Sequence, residues 1–328
     1  MSASLWKEQA YERIRLGDRD PDKRFQVTLG QLASNPQESV SKACANRHQA
    51  KAAYRLIAND KLTMDAFVKV QREVAQERAR ESQTPVVLLI RDTTEFNFTT
   101  QKCMEGIGTI GSSENLRGLL MHSALAVTPK GSVLGLLHQH TWVRPAEEFG
   151  KKKSHTSRPI NEKESNRWLE TMDQAQTGPH GDAVYVNLCD REGEIFELFE
   201  RACIENRCFL CRRIHDRKVS PTDTISSYLA SQPVSGIYET QIQRDSHTAR
   251  SERLARMEVR YGTVTIYRPK NLKSGERSLQ ALRVQVISAI EIDAPEDEKP
   301  IDWELITNLE LTSFETAQQL SSGTRSAG

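Results

Sequence analysis

Val86-Val87-Leu88-Leu89-Ile90-Arg91-Asp92 is an apolar run that ends at an aspartate, and Ala183-Val184-Tyr185-Val186-Asn187-Leu188-Cys189-Asp190 ends in the same way. Both runs have the length and the β-branched content of buried strands. We expect two neighbouring strands with Asp92 and Asp190 side by side at their carboxyl ends. Because such carboxylates can hold two Mg²⁺ ions over a scissile phosphate, the pattern indicates half or more of a metal-dependent site that cuts phosphodiester bonds.

The composition is that of an ordinary globular protein. The chain has 328 residues, 37% hydrophobic and 27% charged, so we expect a small leading module and a larger body. No apolar run approaches the roughly 20 residues that span a bilayer, and the start has no signal-peptide pattern. We therefore predict a cytoplasmic protein without a membrane role, whose six cysteines are reduced.

Two of these cysteines, Cys208 and Cys211, have the spacing of zinc ligands. They fall within a predicted strand, however, where residues three apart face opposite ways. We interpret them as small core residues.

The net charge is only +1, but the charged residues are unevenly distributed along the chain. Residues 201–280 hold 15 Lys and Arg against 8 Asp and Glu, whereas residues 281–328 hold 3 against 9. A basic block of this size is either a solvated face or a surface that follows phosphates. Charge alone leaves both interpretations open.

Residues 1–81 show helical spacing of apolar positions over residues 6–16, 23–33, 39–58 and 63–80. On the third predicted helix, Arg47, Lys51 and Arg55 are spaced by four and share one face. This stripe fits a DNA groove, although an ordinary solvated helix face has the same pattern. We predict a small helical domain over residues 1–81.

Strand and helix patterns alternate over residues 82–215, including helices predicted over residues 162–173 and 194–205. Period-two alternation over residues 216–300 predicts antiparallel strands with one solvent-exposed face. We interpret this region as an inserted β subdomain. Residues 301–328 then contain a returning strand and the start of a helix. The predicted class is mixed α/β.

Seven short motifs occur in a fixed order along the chain. They are Leu16-Gly17-Asp18 with Arg24, Ala53-Tyr54-Arg55-Leu56 with Asn59, Asp92-Thr93-Thr94, Gly135-Leu136-Leu137-His138-Gln139 with Trp142 and Arg144-Pro145, Glu162-Lys163-Glu164-Ser165 with Trp168-Leu169, Cys189-Asp190-Arg191-Glu192, and Trp303-Glu304-Leu305-Ile306-Thr307. With these motifs the chain resembles the bacterial cut-and-paste DDE transposases of the insertion-sequence-four family, including the transposon-five type. The resemblance extends to about residue 320.

The resemblance implies a helical domain that binds transposon ends, a ribonuclease-H-like core and a β insertion in that core. It implies that Asp92 and Asp190 are the first two ligands of the catalytic metal, Mg²⁺ with Mn²⁺ as a possible substitute. The partner it implies is double-stranded DNA, bound by a homodimer associated with the bacterial nucleoid. In the helical domain we expect DNA contacts from Arg24 and, on the basic stripe, from Lys51 and Arg55. The resemblance adds Arg212 near the DNA and Trp303 as a platform for a flipped base.

The chain also departs from the family. The third acid, a glutamate, is expected just beyond residue 328, together with the dimerisation region, and residues 321–328 are small and polar. Asp20 stands where the family has a basic residue. We therefore expect a truncated, catalytically impaired transposase, unless Glu310 or Glu315 serves as the third ligand. The alternatives are a non-cutting protein that occupies transposon ends and a metal-dependent nuclease unrelated to transposition.

Overall fold

The computed structural model describes residue 13 and residues 19–145, 158–178, 181–245, 250–270, 272 and 278–323. Within these ranges the α-helices are α1 (Arg19–Ser34), α2 (Val40–Ala43), α3 (Arg47–Ile57), α4 (Met64–Glu81), α5 (Arg167–Ala175), α6 (Phe196–Ile204), α7 (Ile225–Ser231) and α8 (Phe314–Gly323). The helix predicted over residues 6–16 lies outside the described residues, apart from Arg13. None of the described helices is long and apolar enough to cross a membrane.

The leading helices pack around a small apolar centre. Phe25 of α1 and Leu56 of α3 are buried against Phe67 and Val70 of α4. The prediction of a single helix over residues 39–58 is wrong, because the helix is interrupted between α2 and α3. Asn46 causes the second start: its backbone is extended and its side chain accepts a hydrogen bond from the Gln49 N–H at 3.0 Å.

Helix α4 connects the leading helices to the β-sheet. Its residues Ala75 and Ala79 pack against Val87 and Leu89 of the first strand. The Arg72 guanidinium also donates to the Leu137 carbonyl at 2.9 Å. The last helix of the leading region is thus part of the layer that covers the sheet.

The strands in the described residues form one mixed sheet. They are β1 (Val86–Asn97), β2 (Gly108–Thr109), β3 (Arg117–Val127), β4 (Val133–Trp142), β5 (Val184–Cys189), β6 (Cys208–Arg212), β7 (Gly236–Ile242), β8 (Arg253–Tyr267), β9 (Ala281–Ile292) and β10 (Asp302–Thr307). Their order is β2-β3-β1-β5-β6-β10-β9-β8-β7, with β4 also paired to β3. The pairs β1–β5 and β5–β6 are parallel and the others antiparallel. The predicted mixed α/β class is confirmed.

The antiparallel strands of residues 216–300 extend this same sheet. Strand β10 pairs with β6 on one side and with β9 on the other, which brings β9, β8 and β7 into line with the parallel strands. The returning strand is therefore the joint between the two parts of the sheet.

Different helices cover the two faces. On one face Trp168 of α5, Phe199 of α6 and Leu229 of α7 pack against strand residues. On the other, Ala317 of α8 packs in a cluster that includes Leu188. The helix predicted over residues 162–173 begins later than expected, because residues 160–166 form two 3₁₀ turns before α5.

Candidate active site

Asp92, Asp190 and Arg212 form a row across three neighbouring parallel strands. The register pairs Arg91 with Cys189 and Cys189 with Cys211, and the row consists of the residue that follows each of these three. The prediction that Asp190 follows the end of its strand is confirmed. The prediction that a strand ends at Asp92 is wrong, because β1 continues beside β3 as far as residue 97. Asp92 is instead the first residue of β1 after its pairing with β5 ends.

The two carboxylates have different surroundings. Asp92 is exposed and makes no hydrogen bond or ion pair with another described side chain, whereas Asp190 is half-buried and accepts from the Glu192 N–H at 2.9 Å. Burial raises the pKa of Asp190, and the negative charge of Asp92 raises it further. A bound cation would relieve both effects, so this pair of oxygen ligands fits Mg²⁺. The described residues contain no group of three or more His, Cys, Asp or Glu side chains placed to hold a metal ion.

A buried arginine anchors the strands beneath the row. The Arg91 guanidinium donates to the Trp168 carbonyl and to Cys189 Sγ, both at 2.6 Å, and lies 5.3 Å from the Trp168 ring centroid. In the turn after Asp190, a Cβ at Gly193 would meet the Cys189 Cβ at 2.5 Å. The turn that carries Asp190 therefore packs too closely on its strand for a side chain at this position.

Arg212 supplies positive charge beside Asp190. Burial lowers the pKa of Arg212, as does the nearby charge of Arg191, while Asp190 opposes both. Trp303 lies on β10, two residues from the partner of Arg212, and is half-buried against the cluster that contains Leu305. Its position is close to the row but partly within the core.

The predicted DNA contacts of the leading helices lie on the molecular surface. Arg24 on α1 and Arg47, Lys51 and Arg55 on α3 are exposed, while Ala50, Ala53 and Leu56 form the buried side of α3. The aromatic side chain of Tyr54 is 53% exposed beside this basic stripe. Sequence reasoning used Tyr54 only as part of a motif, although an exposed aromatic residue among arginines is a signal for nucleic-acid contact.

Sequence reasoning missed a polar cleft near the row. The cleft has a volume of about 880 Å³, and its wall includes Trp142, Arg144, Glu164, Arg167 and Glu192. Arg144 forms two hydrogen bonds with Glu164, at 2.8 and 2.9 Å. Arg144 and Glu164 belong to two different sequence motifs, and their ion pair brings both motifs into the same wall of the cleft.

His122 of β3 is a buried histidine close to the row and provides a test of the packing. Burial lowers its pKa from 6.5 to about 2, and the charges of Arg91 and Arg167 add to the effect. The unfolded chain therefore binds a proton below about pH 6.5 that the folded chain rejects, so stability falls as the pH decreases. Between about pH 7 and pH 5 we expect His122 to cost about 2 kcal/mol of unfolding free energy.

Urea denaturation at both pH values measures this cost. The variant His122→Leu should lack that share of the pH dependence, while His48→Gln, on exposed helix surface, should keep it. If the unfolding free energy of His122→Leu depends on pH as much as that of the unsubstituted chain, the assignment of this pH dependence to His122 is contradicted.

Comparison with known proteins identifies the leading region. Residues 3–62 match the family model described as transposase DNA-binding. The segment contains Arg24, Lys51 and Arg55, so these basic side chains lie in a module similar to transposase DNA-binding domains. Among solved structures, the cryo-EM structure of the piggyBac transposase synaptic complex with hairpin DNA matches with a TM-score of 0.43 and 10% identity. That match covers 98% of this chain and 62% of the other, so this chain spans less than two thirds of that protein's length.

Proposed function

We propose that this protein is a DNA transposase that binds the terminal inverted repeats of its element and carries part of a two-metal site for cleavage and strand transfer. The observation that carries the proposal is that Asp92 and Asp190 directly follow the last paired residues of two neighbouring strands, in a chain whose leading segment matches a transposase DNA-binding module. The assignment to the insertion-sequence-four family is part of this proposal and has the motif order as its support.

The fold supports a ribonuclease-H-like core. Asp92 lies on one of the central parallel strands of a mixed sheet and Asp190 directly follows the neighbouring one, and helices cover both faces. Helix α8 packs on the face that also buries Leu188 and Leu210, the residues two positions before Asp190 and Arg212. Because strand residues two apart point the same way, this helix lies on the side of the sheet that bears the row.

Asp92 and Asp190 would hold the divalent metal, Mg²⁺ or Mn²⁺ in its place. When bound, the metal supplies activation of an attacking hydroxyl and charge stabilisation at the leaving oxygen. Arg212 would bind a phosphate of the DNA strand beside the two carboxylates. Trp303 would provide the ring on which an extruded base stacks, and DNA cutting would take place in a homodimer.

A second candidate function is a DNA-binding protein that occupies transposon ends without cutting them. The specific observation in its favour is that the described residues contain two suitably placed carboxylates and no larger ligand cluster. A two-metal site with an incomplete ligand set holds its ions weakly.

Binding to end DNA should depend steeply on salt. Contacts between phosphates and the basic side chains of α1 and α3 release counterions, and removing one contact should lower the slope of log affinity against log salt by about 1. We expect this change for Lys51→Ala and for Arg55→Ala, measured by fluorescence anisotropy on a duplex of the terminal repeat.

Lys130→Ala is the matched control, because the exposed Lys130 lies in the β3–β4 turn, outside the leading helices. It should leave the slope unchanged. Equal affinity for end and random duplexes, with no effect of either α3 substitution, would refute the assigned role of the helical module.

A further inference from the structure

Arg167, the first residue of α5, connects three segments of the chain with one guanidinium. Its Nε donates to Thr93 Oγ1 at 3.1 Å, one terminal nitrogen to Glu192 Oε2 at 2.6 Å, and the other to the Glu164 carbonyl at 3.1 Å. The side chain is 12% exposed. Every guanidinium nitrogen is therefore engaged, in the fixed planar geometry that arginine imposes.

Two of these partners adjoin the aspartates of the row. Thr93 directly follows Asp92, and the backbone N–H of Glu192 donates to the Asp190 carboxylate at 2.9 Å. The backbone pairing of β1 with β5 ends one residue earlier, at Arg91 and Cys189. Beyond that point, side chains must set the distance between the two segments.

We propose that Arg167 is a positioning residue that holds the Asp92 and Asp190 segments at the separation needed to share a metal. This inference rests on the function proposed above and adds a residue to it. Arg167 acts through Thr93 and Glu192 and does not itself need to touch metal or DNA.

The surroundings of Arg167 favour one fixed arrangement. Its guanidinium lies 5.6 Å from the Trp142 ring centroid and 6.0 Å from that of Trp168, and both rings restrict its movement. Thr93 Oγ1 also shares a hydrogen bond with His122 Nδ1 at 2.9 Å. A ligand-bearing segment supported in this way is pre-organised for metal binding.

The test uses the full chain with Mn²⁺ as the probe. Arg167→Met should weaken Mn²⁺ binding by about 10- to 100-fold, the usual cost of losing an outer-shell partner, and should speed hydrogen exchange of the Glu192 amide. Arg167→Lys reaches fewer partners and should give an intermediate result. Thr93→Val removes a single hydroxyl and should show part of the same effect. It serves as the test if Arg167→Met does not fold.

Arg201→Met is the matched control, because Arg201 is likewise an arginine in an ion pair, with Asp173 of α5 at 2.7 Å, but its ion pairs and hydrogen bonds involve neither aspartate segment. It should leave Mn²⁺ affinity unchanged. Unchanged Mn²⁺ affinity in Arg167→Met and Thr93→Val would overturn the positioning role. Weaker binding with unchanged Glu192 exchange would also overturn it, because Arg167 would then act through charge alone.

A failure of the proposed function gives a different result. If the unsubstituted chain shows no Mn²⁺ binding that depends on Asp92, the metal site is refuted. Amide exchange alone then tests whether Arg167 holds the two segments together. Faster Glu192 exchange in Arg167→Met then supports a bridge between the two segments, and unchanged exchange overturns it.

Discussion

Replacing Glu194 by alanine should lower the free energy of unfolding by about 3 to 5 kcal/mol, the typical cost of removing one partner from a buried charged network. The Glu194 side chain has no exposed surface. It accepts from the backbone N–H of Ile214, from that of His215 at 2.6 Å and from Arg217 Nε at 2.9 Å. Alanine would leave these three donors, and the largely buried charge of Arg217, without their acceptor. Urea denaturation measures the loss.

The segment that Glu194 holds begins two residues after Arg212, so the substitution should also loosen the end of β6 beside the row. Glu194→Gln keeps an acceptor oxygen without the charge and should give a smaller loss. Arg256→Ala is the control: its ion pair with Asp293 is 49% and 71% exposed and should contribute less than about 1 kcal/mol. Similar values for Arg256→Ala and Glu194→Ala would contradict the buried network.

Asp92→Asn and Asp190→Asn should each weaken Mn²⁺ binding by more than the roughly 10- to 100-fold that the loss of an outer-shell partner costs. Each substitution removes the negative charge of one of the two proposed ligands. The measurement is Mn²⁺ titration of the full chain by calorimetry. Asp60→Asn makes the same chemical change on the exposed surface of the helical region and should leave the affinity unaltered.

The same preparations test DNA cutting. Since the described residues contain no group of three or more candidate metal ligands, we expect residues 1–328 to show no detectable Mg²⁺-dependent nicking of end DNA. Efficient nicking would mean that another acid completes the site, and the exposed Glu310 and Glu315, before and on α8, are the first to substitute. Mn²⁺ affinity that is indifferent to both Asp92 and Asp190 would refute the metal site.

Several features of the fold could be predicted because their causes are local. The apolar runs before Asp92 and Asp190 predicted strands, and both strands are present in adjacent positions. Period-two alternation likewise predicted the antiparallel strands after residue 216. The predicted helix over residues 39–58 failed because the hydrogen bond of Asn46 to Gln49, a local competitor of the helix, was not recognised.

Candidate-site residues divide in the same way. Asp92, Asp190 and the basic stripe of α3 stand out in the sequence, since the ends of apolar runs and four-residue spacing are visible there. Arg167 and Glu194 do not. Each looks like an ordinary charged residue until its partners are known, and those partners lie 74 residues from Arg167 at Thr93 and 23 residues from Glu194 at Arg217.

By itself, the sequence determined which segments are buried strands, which helix face is basic and which two carboxylates follow apolar runs, because side-chain periodicity and burial preference act over a few residues. Only the tertiary structure decided that β1 continues past Asp92, that β10 joins the parallel and antiparallel strands into one sheet, and that Arg167 spans the two aspartate segments. These features depend on pairing register and on hydrogen bonds between distant segments. Such contacts form only when the whole sheet assembles, and no local pattern encodes them.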